Sequence, residues 1–237
     1  MNILITICAR GGSKGIPGKN IKPINGIPLI EYTINTAKSF LKLYESDISI
    51  STDDLNIKQL CKSIGVETDY IRPFHLSTDS AGKIDTIYDL LIYHEELNAK
   101  KYDYILDLDV TSPLRTIDDL KHAFELLKHN DNALNIFSVN KANKNPYFNM
   151  VEQKEDGYFQ LSKKGEFLTR QSAKPVFELN ASFYFYKRLF FESDSKKVIN
   201  DRSLIYEMKH ICFDLDHPID FEFMSYLIKN NKLDFKF

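Results

Sequence analysis

An excess of charge of either sign is missing from this chain: 31 Lys and Arg stand against 33 Asp and Glu over 237 residues. No global basic field is available to hold a polyanion, so nucleic acid is not an expected partner. Cysteine is scarce too. Cys8, Cys61 and Cys212 are an odd number with no C-x-x-C spacing, which excludes a disulfide framework and a zinc motif and suits a reducing compartment. Cys8 and Cys212 lie in apolar stretches and read as core. No apolar run approaches membrane-spanning length, and the first residues lack the basic-then-apolar layout of a signal peptide. Repeats, linkers and low-complexity tracts are also lacking. The expectation is a single domain across 1–237, soluble and cytoplasmic, with no membrane partner.

What is present is alternation. Short β-branched runs predict strands at 2–9, 47–52, 66–73, 102–110 and 133–139. Between them, helical spacing predicts helices at 28–43, at 53–64 with Asp53 as cap, at 84–97, and at 117–129 with Thr116 as cap. A further core strand is predicted at 208–216 and a last helix at 218–231, opening on Pro218. Between these parts, about 141–180 reads as a β-rich excursion with a hairpin turn at Asp156-Gly157. The order predicts an α/β fold, a mostly parallel sheet with helices on both faces, whose ligands bind beyond the carboxyl ends of the strands.

One such end carries "ARGGSKGIPGKN", residues 9–20. Glycine lets the backbone come close to an anion and aim N–H groups at it. The loop is not a dinucleotide fingerprint, because G-x-G-x-x-G is absent. It is not a P-loop either: Gly12 and Gly18 stand one residue too far apart, and Asn20 follows Lys19 where Ser or Thr belongs. With Gly11, Gly12, Gly15 and Gly18 interleaved among Arg10, Lys14 and Lys19, the loop reads as a cradle for nucleotide phosphates, whose departure needs charge neutralisation.

Two acidic stretches complete the picture. "LDLDVTSPLR" (106–115) places Asp107 and Asp109 on one strand face, and "FDLDHPIDF" (213–221) does the same for Asp214 and Asp216. Asp214 and Asp216 read as a magnesium site, since Mg²⁺ takes carboxylate, water and phosphate oxygens. Asp220 reads as a helix cap and His217 as a turn residue. Ser13 and Ser112 have no evident His base, so a hydrolase triad is unsupported.

The ordered set "ARGGSKGIPGKNIKPINGIPLIEYTI", "ISTDD" (50–54), "RP" (72–73), "TSPLR" (111–115), "TRQSAKPVFELNASFYFYKR" (169–188) and "FDLDHPIDF" resembles the CMP-sialic acid synthetase family, the acylneuraminate cytidylyltransferases. It is most similar to the bacterial branch acting on legionaminic and related nine-carbon acids. The resemblance implies a nucleotide-diphospho-sugar-transferase-like fold, a homodimer, Mg²⁺, and the coupling of CTP to a 2-keto sugar acid with release of pyrophosphate; the aromatic residues of the excursion, more apolar surface than a monomer leaves wet, make it the expected dimer interface. It implies that Arg10, Gly11, Gly12, Lys14, Lys19 and Asn20 meet CTP, with Arg10, Lys19 and Asp216 catalytic. It further implies that Thr111, Ser112, Arg170, Gln171 and Asn180 lie at the sugar, and that Asp214 and Asp216 hold the metal.

Two departures stand out. Asp109 replaces the glutamine of the Q-P-T-S-P-L pattern, so it is expected either at the sugar or as a third metal ligand. Lys83 replaces a small hydroxyl residue and is expected at the nucleotide, with the sugar left open. Ala181 also follows Asn180 where glycine is usual. Transfer onto Kdo or a hexose 1-phosphate, and a non-catalytic sugar-nucleotide-binding protein on the same fold, are the alternatives.

Overall fold

The computed structural model describes all of 1–237 except Ser13, Lys14, Glu166, Leu168, Arg170, residues 194–196 and Phe237. In chain order its strands are β1 (Ile3–Cys8), β2 (Pro23–Ile24), β3 (Ile27–Pro28), β4 (Ser46–Ser51), β5 (Tyr104–Leu108), β6 (Asn135–Lys141), β7 (Val151–Gln153), β8 (Phe159–Leu161), β9 (Phe177–Lys187) and β10 (Ser203–Glu207). Its α-helices are α1 (Leu29–Leu41), α2 (Leu55–Ser63), α3 (Lys83–Leu97), α4 (Ile117–Lys128) and α5 (Pro218–Lys229). None of them is long and apolar enough to cross a membrane.

Six strands form the main sheet in the order β10-β6-β9-β5-β1-β4. β1 runs parallel to β4 and β5, and β10 parallel to β6. β9 alone runs antiparallel, between β5 and β6. Side chains alternate across the sheet as strand geometry requires. Ile3, Ile5, Ile7, Leu106, Leu108, Phe183 and Phe185 join one apolar cluster, packed with Leu29, Ile30, Ile57, Leu120, Phe124 and Met224 from the helices. Leu4, Ile105, Tyr184 and Tyr186 face the other way, against Ile84, Ile87 and Leu91 of α3 and Phe190 and Phe191. The apolar runs are thus buried on both sides, as a mostly parallel sheet demands.

Local signals explain most boundaries. Thr116 and Asp119 form a capping box at the start of α4, and Pro218 opens α5 at its first position. Three expectations need correction. Asp53 does not cap α2; the Asp54 carboxylate does, accepting from Asn56 N–H at 2.7 Å and Ile57 N–H at 3.3 Å. Residues 66–73 make no strand: Arg72 N–H reaches Thr52 O at 3.1 Å past the end of β4, Val66 N–H turns back to Cys61 O at 2.9 Å, and Pro73 has no N–H to continue a ladder. Residues 208–216 are not a strand either, because the outer strand is β10 just before them. The segment instead crosses the carboxyl ends of the sheet, tied by Met208 N–H to Val139 O and Leu215 N–H to Thr111 O at 2.9 and 2.8 Å.

The excursion contains the small antiparallel pair β7–β8, turning at Gly157 with φ 85°. β9 carries the chain back from it, exposed at Phe177 and buried by Phe183. Between the two halves, Ala181 sits at φ 55°, where a side chain is strained and glycine is not. The β6–β9 register shifts at the same place.

Candidate functional site

The carboxyl ends of β1 and β5 open onto a cavity of about 440 Å³, within the range of small-molecule sites. Its wall includes Arg10, Gly15, Lys19 and Asn20 from the glycine loop, Asp109 and Thr111 after β5, Lys83 at the start of α3, and Asp216. Residues more than a hundred positions apart in sequence therefore meet beyond the carboxyl ends of two interior strands.

The glycine loop is held in place by polar contacts. Gly18 takes φ 64° to start a single turn at Lys19–Ile21. The buried Asn20 amide donates to Arg10 O at 2.9 Å, so Asn20 braces the loop from below. Gly15 packs so closely on the Asp216 carbonyl that a Cβ there would stand 2.9 Å from it. Gly11 donates its N–H to Asp53 Oδ1 at 2.9 Å. Gly11 and Gly12 lie off the cavity wall.

Each described cation of the expected set has an acid beside it. Arg10 meets Asp79 at 2.9 Å, and Lys19 meets Asp216 at 3.3 Å. Lys83 meets Asp107 at 2.8 Å and Asp109 at 2.7 Å. Asp107 is fully buried and also accepts from Thr6 Oγ at 2.9 Å. The other oxygen of Asp109 accepts from Thr111 N–H and Thr111 Oγ, both at 2.8 Å. Burial alone would raise the Asp109 pKa; the Lys83 charge and the donors of Lys83 and Thr111 overcome it and hold it down to about 2. Burial likewise opposes the Lys83 charge, and Asp107 and Asp109 override it, so its pKa is raised.

Asp214 is in the opposite condition. Burial first, and then the nearby charges of Asp109 and Asp216, push its pKa up to about 6 against the Ser112 and Lys19 contributions. Its Oδ1 is buried without a hydrogen-bond partner. An unpaired acid oxygen crowded by two further acids is a place a cation would relieve. The described residues contain no cluster of three or more acids, histidines or cysteines arranged to hold a metal alone. A pair of carboxylates completed by phosphate and water is the arrangement that suits Mg²⁺. Asp216 is the outer member, its side chain 65% exposed. Asp220 caps α5 through His217 N–H at 2.6 Å and also accepts from Asp216 N–H at 2.9 Å, which fixes the approach to the acid pair.

Several expected sugar contacts are placed elsewhere. Ser112 is fully buried and donates to Asn180 O at 2.6 Å. Asn180 accepts from Ser138 Oγ at 2.6 Å and donates to Asn140 Oδ1 at 2.9 Å, so its polar atoms are engaged inside the β6–β9 bulge. Both brace the wall behind the cavity and do not line it. Gln171 is exposed and off the cavity wall. Lys14 and Arg170 lie outside the described residues. Asp109 reaches the cavity, but each of its oxygens already has a protein donor.

Among the lining residues that were not expected at the site are Arg72 and Cys8. Arg72 is buried and aims at the cavity from the far side, donating to Ser51 Oγ at 2.8 Å and Ser51 O at 2.6 Å. Its signal was available: a cation before a proline, just past an acidic turn, is an odd end for a buried strand. Cys8 ends β1 and lines the cavity, its thiol pushed up to about 12 by burial and the Asp107 charge.

Comparison with known proteins agrees with this geometry. Residues 4–233 match the family model described as Cytidylyltransferase. The chain is 39% identical to a post-translational flagellin modification protein B of Campylobacter coli, over 99% of this chain and 98% of that one. It is 37% identical to a CMP-N,N'-diacetyllegionaminic acid synthase of Campylobacter jejuni, over 98% and 97%. In fold it is similar to a CMP:2-keto-3-deoxy-manno-octonic acid synthetase complexed with CTP, at TM-score 0.69 and 16% identity over 98% of this chain and all of that one. A match that runs almost end to end, over strand ends that gather cations and paired acids, makes this chain a member of the cytidylyltransferase family.

Proposed function

We propose that this protein couples CTP to a nine-carbon 2-keto sugar acid of the legionaminic or sialic type, giving the CMP-sugar and pyrophosphate. The observation that carries the reading is the cavity itself, where Arg10 and Lys19, each held by an acid, line the wall with Asp216, and Asp214 lies near enough for the charges of Lys19, Asp109 and Asp216 to act on it. Asp216 pairs with Lys19 at 3.3 Å. A triphosphate is the stronger partner for Lys19, so its arrival frees the Asp216 carboxylate. Arg10 is released from Asp79 in the same way, and with Lys19 it stabilises the departing pyrophosphate. The anomeric hydroxyl attacks the α-phosphorus in line. Asp216, freed and solvent-facing, accepts the hydroxyl proton.

Asp214 and Asp216 are the residues that would hold Mg²⁺, which when bound supplies charge neutralisation at the phosphates. Asp109 is the weaker part of the expected metal set because Lys83 and Thr111 already use its oxygens.

We further propose a homodimer through the excursion. Val151, Tyr158 and Phe159 on the β7–β8 pair are 60%, 73% and 63% exposed, which is apolar surface that a second copy would cover. A cytoplasmic place, where CTP is made, belongs to the same reading. The test is pyrophosphate release with CTP and a panel of legionaminic, sialic and pseudaminic acids, with Kdo and hexose 1-phosphates as controls. Release with a nine-carbon acid alone is expected; release only with a control acceptor, or with none, overturns the proposal.

A further inference from the structure

Lys83 and Asp109 meet on the cavity wall, one at the first turn of α3 and the other just past β5. Neither is at liberty to act alone. Lys83 is the only cation within ion-pair distance of the fully buried Asp107 among the described residues, and a buried carboxylate without a counter-charge is strongly unfavourable. Asp109 is fixed on its other side by the Thr111 N–H and hydroxyl. One ammonium therefore serves two carboxylates, and the trio has no positive charge to offer an anion. What it retains is directional. An ammonium has three donors; one goes to Asp109, and the 2.8 Å contact with Asp107 is an ion pair, so a donor remains for a ligand, and each carboxylate oxygen of Asp109 can accept more than one hydrogen bond. A donor and an acceptor thus stand side by side at the 2.7 Å of the Lys83–Asp109 contact. That spacing is close to the separation of neighbouring hydroxyl oxygens on a sugar.

We infer that Lys83 and Asp109 form one charge-compensated unit that binds a neutral sugar hydroxyl, donating to one oxygen from Nζ and accepting a hydroxyl proton at the Asp109 carboxylate. The unit selects by hydrogen bonding: a substrate lacking the hydroxyl leaves both groups unpaired, which is a larger loss than one missing contact. A phosphate or the sugar's own carboxylate is rejected there, since it would face two acids shared by one cation. The hydroxyl comes from the ribose of the nucleotide or from the sugar acid. Both members touch the hydroxyl, and Lys83 in addition holds the Asp109 carboxylate in place.

The inference rests on the reading of the chain as a CTP-dependent sugar-acid transferase, and its test separates the two. Pyrophosphate release is measured for wild type and Asp109→Asn with CTP, 2′-deoxy-CTP and 3′-deoxy-CTP. It is measured again with N,N′-diacetyllegionaminic or N-acetylneuraminic acid and analogues lacking each non-anomeric hydroxyl in turn. The expected result is that one deoxy substrate loses about tenfold or more in kcat/KM with wild type and little with Asp109→Asn. The nucleotide arm or the sugar arm then names the source of the hydroxyl. If every deoxy substrate loses the same factor in both proteins, the inference is overturned while the transferase reading stands. If wild type releases no pyrophosphate in any arm, both are overturned. A second cycle pairs Lys83→Gln with Asp109→Asn. One unit predicts that the double variant is no worse than the more damaged single variant, and independent, multiplying losses contradict it. Should Lys83→Gln fail to fold, the cycle is repeated with Asp107→Asn, which removes the buried charge that needs the lysine.

Discussion

Two Asp-Leu-Asp stretches meet at this cavity, and the structure treats them in opposite ways. The first, Asp107-Leu108-Asp109, ends a strand and is neutralised by Lys83, which lies 2.8 and 2.7 Å from its two carboxylates. The second, Asp214-Leu215-Asp216, belongs to no strand and leaves Asp214 Oδ1 unpaired. Asp109 is held down to about 2 and Asp214 is pushed up to about 6, and Asp109 itself contributes to that rise. Identical spacing thus gives an acid held down by a neighbouring lysine in one place and an acid pushed up by its neighbours in the other, although Asp107 Oδ2 and Asp214 Oδ1 alike lack a hydrogen-bond donor. The difference is where the lysine stands: Lys83 lies within reach of both acids of the first pair, whereas Lys19 reaches only the exposed Asp216 of the second, and among the described residues Asp214 has no cation within ion-pair distance.

The comparison breaks most sharply at Asp216. Asp216→Asn keeps the shape and removes the exposed charge of the pair proposed to hold the cation, so turnover should fall by about a thousandfold, read as pyrophosphate release across a magnesium titration. Lys83→Met attacks the other pair through stability. Asp107 would be left buried and unpaired, and thermal unfolding should show a loss of about 3 kcal/mol or more. Lys19→Ala should lower kcat/KM for CTP by about a hundredfold, or ~2.7 kcal/mol, with unfolding little changed, because the side chain only pairs with a solvent-exposed acid in the free protein. Near-normal rates at low CTP would remove Lys19 from the phosphate site. The smallest effect is the most diagnostic of the contrast. In the ligand-free protein at neutral pH without magnesium, Asp214→Asn should raise the melting temperature by a few degrees, since it relieves a crowded charge, and Asp109→Asn should lower it. Shifts of the same sign would show that the two pairs are not in opposite conditions.

Much of this was legible beforehand. Alternating β-branched runs located β1, β4, β5 and β6, because a sheet buried on both faces must write its strands as apolar stretches. The Thr116 cap, the Pro218 start and the Asp156-Gly157 turn are local chemistry, and local chemistry survives in the fold. The segment 208–216 misled for the same reason: its apolar Met208, Cys212 and Leu215 are buried, yet they bury by crossing strand ends and not by joining the ladder. At the site, the glycine loop and the acids were readable from residue type. The partnership of Lys83 with Asp107 and Asp109 was not, since it depends on α3 returning its first turn to the end of β5. Ser112 and Asn180 were expected at the sugar from the resemblance of their motifs, and in the structure each has its partner inside the wall.

The account turns on which Asp-Leu-Asp pair holds the metal. The direct measurement is the magnesium concentration for half-maximal pyrophosphate release, taken at saturating CTP and sugar acid for wild type, Asp216→Asn and Asp109→Asn. The account predicts that Asp216→Asn loses the magnesium response, while Asp109→Asn keeps the wild-type midpoint and changes only its apparent KM for the substrate whose hydroxyl it binds. A midpoint that moves as far with Asp109→Asn as with Asp216→Asn would contradict it.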